Sequence, residues 1–225
     1  MKNIIKTTMK AGIICFLITG SAVANESLAP IGTLQVGSGS HTSVQNELGS
    51  FAVSGTHTVL AGDQIKIGDS DYVSTLALDG GKLYISPNSL TTLSKSNGVY
   101  TLELTSGSIG YELATEGSLR ILSGGQEIAP IASNGDISGA VAVQPNGKLS
   151  VSPINGNALV MTDDGLTTTV SQGYTWADSD QEPTMVLTQV EEDDDRRALW
   201  ILLGALGLWG VYELIDDDDD KKSPS

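Results

Sequence analysis

Nine times between residues 62 and 165 the chain carries a dipeptide suited to a tight turn: Gly62-Asp63, Gly68-Asp69, Gly80-Gly81, Asn97-Gly98, Gly124-Gly125, Asn134-Gly135, Asn146-Gly147, Asn155-Gly156 and Asp164-Gly165. Glycine, and to a lesser degree Asn and Asp, tolerate the positive φ that tight hairpins require. Between the turns lie only short runs of β-forming residues, at 59–67, 73–78, 83–85, 100–104, 109–113, 119–122, 141–143, 149–151 and 158–161. No window before residue 196 shows the apolar period of a helix. The rhythm predicts an all-β body over residues 45–177 with roughly ten strands, built as a sandwich, a barrel or a short β-solenoid. Helix is expected only at the two ends of the chain.

The N-terminal end reads as an export signal over residues 1–24. Lys2, Lys6 and Lys10 precede the apolar run from Ala11 to Thr19, and Ala22-Val23-Ala24 offers the small residues of a cleavage site. Cys15 is the only cysteine and would leave with the signal, so the mature chain is expected to hold by packing without a disulfide. Loss of three lysines reduces 12 basic residues to 9 against 27 acidic ones, a net charge of −18. That balance repels nucleic acid and argues against it as a partner.

The C-terminal end carries a second apolar stretch, Ala198 to Ile215, with Trp200, Trp209 and Tyr212 placed like interfacial aromatics and Arg196-Arg197 directly before it. Its 18 residues suffice to reach across the hydrocarbon of a bilayer, and a membrane-anchoring helix is expected. Gly204, Gly207 and Gly210 would give it a small-residue stripe that permits self-association. Residues 25–44 read as a Ser/Gly/Thr-rich linker with a strand at most near 32–36, residues 178–197 as an acidic linker, and residues 216–225 as an acidic tail.

Four segments resemble, in order and spacing, the FecR domain. They are Gly49-Ser50-Phe51-Ala52-Val53-Ser54-Gly55; Leu60-Ala61-Gly62-Asp63-Gln64-Ile65-Lys66-Ile67-Gly68; Val73 to Leu78 followed by Asp79-Gly80-Gly81-Lys82-Leu83-Tyr84-Ile85-Ser86-Pro87-Asn88-Ser89; and residues 102–110, LELTSGSIG. The clear match spans residues 49–113, and a looser one continues to Trp176 through Val170 to Tyr174. After Gly117 the pattern departs, keeping Ala129-Pro130 and scattered alternation. The resemblance implies a fold signature without reactive chemistry. The family includes periplasmic regulators whose cytoplasmic N-terminal segment controls a sigma factor. Here only ten residues precede the first apolar run, so the resemblance points to an exported envelope or surface module, periplasmic or at the cell surface, that contacts a protein or polysaccharide. A membrane sensor of the sigma-factor-regulating type is the alternative.

No group of residues has the spacing of a catalytic, cofactor or metal site, so no enzyme, cofactor or metal is expected. His41 and His57 lie 16 apart in Ser/Thr-rich sequence without a cysteine or paired carboxylate at ligand spacing. Gly107-Ser108-Ile109-Gly110 falls one residue short of a nucleophile elbow, and Gly37-Ser38-Gly39 lacks the following helix of a dinucleotide loop. Asp63, Asp69 and Asp71 cluster near one turn but lack the bidentate acid of a calcium loop. Tyr72, Tyr84, Tyr100, Tyr111, Tyr174 and Trp176 are expected to pack in the core and across hairpins rather than to line one surface.

Overall fold

The short β runs between the turns fold as strands arranged in two layers. A computed structural model describes residues 29–37, 40–69, 72–133, 135–178 and, by backbone alone, 184–187. They form seventeen strands and no helix: β1 (Pro30–Val36), β2 (Thr42–Asn46), β3 (Gly49–Val53), β4 (Gly55–Leu60), β5 (Gln64–Ile67), β6 (Ser74–Leu78), β7 (Gly81–Ile85), β8 (Leu90–Ser96), β9 (Val99–Leu113), β10 (Leu119–Ser123), β11 (Gln126–Ile131), β12 (Ile137–Val143), β13 (Leu149–Asn155), β14 (Asn157–Met161), β15 (Thr167–Val170), β16 (Tyr174–Ala177) and β17 (Thr184–Leu187). The all-β class is therefore established for these residues. Among them no helix is long and apolar enough to cross a membrane. The expected signal, the membrane segment Ala198 to Ile215 and the tail lie outside the described residues.

The first sheet runs β4-β1-β6-β7-β9-β12-β13-β16-β17. The second runs β3-β2-β5-β8-β9-β10-β11-β14-β15. Every pairing is antiparallel except β9 with β10. β9 belongs to both sheets: residues 99–106 pair with β8 in the second, and residues 107–113 pair with β12 in the first. The chain then turns through residues 114–118 and returns to the second sheet, where β10 lies parallel to the start of β9. The outermost strands are β4 and β17 in one sheet, β3 and β15 in the other. No pairing among the described residues joins these ends, so neither sheet closes and the barrel alternative is not realised.

Alternation sends one face of each strand into the space between the layers, as the strict buried-exposed pattern of β10 shows. Leu34, Leu83 and Val141 from the first sheet and Val44, Ile65 and Leu102 from the second are all buried in one cluster. Each such side chain contributes about 1.5–3 kcal/mol by leaving water, and packing of this kind must hold the described body, which contains no cysteine.

Local chemistry sets the turns. Asn97 and Gly98 adopt φ of 52° and 82°, the two left-handed conformations of a type I′ hairpin, and join β8 directly to β9. Gly107, inside β9, has φ of 83° and stands where the strand leaves one sheet for the other.

The sequence-based boundaries need two corrections. The stretch expected as a linker at 25–44 contains β1 and the start of β2, and Leu34 and Val44 are fully buried. The body therefore extends N-terminally to Pro30, because β1 is held between β4 and β6 rather than trailing from the fold. At the other end, β17 lies within the expected acidic linker and pairs with β16.

Candidate functional site

The residues weighed for chemistry take structural positions. Asp63 is buried, and its carboxylate accepts hydrogen bonds from the Leu60 backbone N–H at 2.8 Å and from Asn46 Nδ2 at 3.0 Å. It thereby fixes the turn from β4 to β5 and ties it to β2. Asp69 is exposed, and Asp71 lies outside the described residues. His41 is exposed and its carbonyl accepts the Gly68 N–H at 2.8 Å. His57 is half-buried in β4, in the other sheet. Among the described residues no three His, Cys, Asp or Glu side chains gather in a way that would hold a metal ion.

Ser108 belongs to a hydroxyl network that joins β9 to the end of β7. Its Oγ shares a 2.6 Å hydrogen bond with Ser86 Oγ, its N–H donates to Ser89 Oγ at 3.1 Å, and Ser89 Oγ donates to the Ser108 carbonyl at 3.2 Å. These contacts include no histidine or carboxylate that would activate a nucleophile. Ser38 and Gly39 of the glycine-rich loop lie outside the described residues, and the chain continues from there into strand β2.

The aromatics disperse. Tyr100, Tyr111 and Trp176 are buried, while Tyr72 and Tyr174 are exposed at separate places. Tyr100 Oη accepts the Asp79 N–H at 3.1 Å and Lys95 Nζ at 2.9 Å. Burial pushes the Tyr111 hydroxyl pKa up.

Tyr84 stands on the outer face of the first sheet, packed against Ala140 and Ala142, and donates to Glu112 Oε2 at 2.9 Å. Burial first, then the hydrogen bond to the Glu112 carboxylate and its charge, push Tyr84 up to about 12. The neutral phenol is thus favoured by folding, so this stabilisation is complete below the free tyrosine value of 10.0 and disappears as pH rises through about 12. In an ultraviolet titration of the folded protein Tyr84 is expected to ionise later than free tyrosine, and Glu112→Gln to bring it back only in part, since burial is the larger cause. A full return in that variant would show the carboxylate to dominate.

Among the described residues both ends of the two sheets are unpaired, β15 and β17 at one and β3 and β4 at the other, and at the second the two outermost strands are consecutive. Only Ser54 separates these strands, yet β3 is the outermost strand of the second sheet and β4 of the first, so both layers terminate together. Phe51 lies opposite the buried Val44, and His57 opposite the buried Leu34, so both rings point into the space between the layers. They meet there with centroids 5.4 Å apart and an interplanar angle of 59°. Phe51 nevertheless stays 38% exposed, as an inward position does where the layer beyond it is missing. Leu48, in the turn before β3, is 84% exposed. Neither strand carries a lysine, an acid or a proline, the residues that usually protect an exposed edge. That lack was legible in residues 49–60; that these strands are outermost was not.

The chain matches no family model, no curated protein and no solved structure.

Proposed function

We propose that this chain is an exported envelope or surface module with a FecR-type fold, anchored through Ala198 to Ile215, that acts by protein or polysaccharide contact and performs no chemistry of its own. One observation carries the reading. All four segments that resemble the FecR pattern include a place where the chain passes between layers: Ser54 between β3 and β4, residues 61–63 between β4 and β5, residues 86–89 between β7 and β8, and residues 106–108 within β9. Asp63 secures the crossing from β4 to β5, and Ser86, Ser89 and Ser108 bind the last two together. Motif residues at these positions serve a scaffold, here a sandwich-like pair of sheets with one solenoid-like coil from β9 to β10. The strand edges and turns are then the surfaces left for contact.

Export and anchoring rest on the sequence of residues 1–24 and 198–215. The test is fractionation of the full chain carrying a C-terminal tag, with the N-terminus of the recovered protein read by mass spectrometry. A membrane-bound protein beginning at Asn25, whose body is cut by protease added to cells with a permeabilised outer boundary, is the expected result. An unprocessed chain folded in the cytosol would refute the proposal.

A further inference from the structure

We propose that the β3–β4 end is a self-complementary interface through which two copies of this chain pair edge to edge. The inference deepens the contact-module reading, resting on its use of strand edges but not on its location. Each layer ends in a strand paired on one side only, β3 with β2 and β4 with β1, among the described residues. A single added strand would extend one layer and leave the other open. A two-fold axis perpendicular to both layers satisfies both at once, setting β3 antiparallel to the partner's β3 and β4 antiparallel to the partner's β4. It also closes the space between the layers, where Phe51 and His57 are held against one another and Phe51 still meets solvent.

Electrostatics permits contact between identical acidic molecules at this end; the strands β15 and β17 at the opposite end are likewise uncharged, but there Asp163 and Asp164 stand exposed together in the turn into β15. Two copies of a chain with formal net charge −15 repel wherever their acids face one another. The strands Gly49–Val53 and Gly55–Leu60 contain no Asp, Glu, Lys or Arg; of the acids beside them, Asp63 is buried with its carboxylate on the Leu60 N–H, and Glu47 sits exposed in the turn before β3, at the rim. The charged side chains of the sheets sit on strands such as β5, β7, β10 and β11, through Lys66, Lys82, Arg120 and Glu127, the last two forming a 3.2 Å ion pair.

The test is the mass of the full chain in a density-matched mild detergent, by sedimentation equilibrium. Wild type is expected at twice the chain mass. Ala52→Lys with Thr58→Lys places a charge on the exposed outer face of each open strand and is expected to halve the mass while the far-ultraviolet circular dichroism stays that of the wild type. Thr56→Lys alone, also at an exposed position, is a second variant with the same expectation should the double variant fail to fold. Thr167→Lys with Thr169→Lys, on the opposite end at β15, is expected to leave the dimer intact.

A monomeric wild type would overturn the proposal. So would a dimer that survives the β3–β4 charges, which would place association in the apolar C-terminal segment, and so would one that the β15 charges dissolve, which would indicate head-to-tail stacking. None of these results bears on export, which fractionation decides separately.

Discussion

Trp176→Ala is expected to lower the stability of the body by about 4 kcal/mol, near the upper range for a large core truncation. For a domain of this size that corresponds to a melting temperature lower by roughly 10–15 °C. Trp176 is 1% exposed and lies in β16 opposite Val151, so its removal leaves a cavity at a place pinned by backbone pairing on both sides of the strand. Its indole Nε1–H is buried with no acceptor among the described residues. Trp176→Phe discards that unpaired donor while keeping most of the apolar volume, and is expected to cost only about 1 kcal/mol. Thermal denaturation of the two variants separates the contributions. Equal losses would show that the indole N–H does find a partner or a water.

Gly107→Ala is expected to cost about 3 kcal/mol, the sum of a left-handed backbone forced on a residue with a Cβ and a collision in a packed region. A Cβ at Gly107 would run into the side chain and backbone of Ser89, the residue whose hydroxyl binds Ser108. Gly98 provides the comparison. Its φ of 82° is nearly the same, but a Cβ there meets nothing within 4 Å, so Gly98→Ala is expected to lose only about 1 kcal/mol of backbone strain. Denaturant titration of both variants measures the difference. Equal costs would mean that Ser89 yields freely and that the crossing in β9 is less constrained than its contacts suggest.

The sequence revealed the class of the fold better than its extent. Apolar alternation exposed β6, β10 and β14, and the dipeptides Asn97-Gly98 and Gly124-Gly125 marked hairpins that the structure contains. Strands rich in Ser and Thr were missed, such as β2 (TSVQN), β8 (LTTLSKS) and β15 (TTTV). Their inward positions are few, and hydroxyl side chains fill places that an apolar pattern would have marked: Thr42 and Thr91 are buried. The β-forming runs at 100–104 and 109–113 belong to one continuous strand, β9, because the Thr, Ser and Gly residues between them interrupt the apolar alternation without ending the backbone pairing.

The candidate contact end was harder to foresee. A local pattern does not state which strand is outermost, and here that depends on pairings such as β1 with β6 and β2 with β5, made across intervening segments. Only the unprotected composition of residues 49–60 was visible beforehand. Asp63 was legible as a turn residue, though its bond to Asn46, 17 positions away, was not.

Beyond β9 the polypeptide is laid down like courses of brick. β10–β11 extends one sheet, β12–β13 the other, β14–β15 the first of these again, and β16–β17 the other in turn. Each new hairpin rests on a strand already in place, β11 receiving β14 and β13 receiving β16. Such masonry tolerates a change in the number of courses: a molecule longer or shorter by one hairpin per wall would keep every earlier joint, and its length would vary while its cross-section did not.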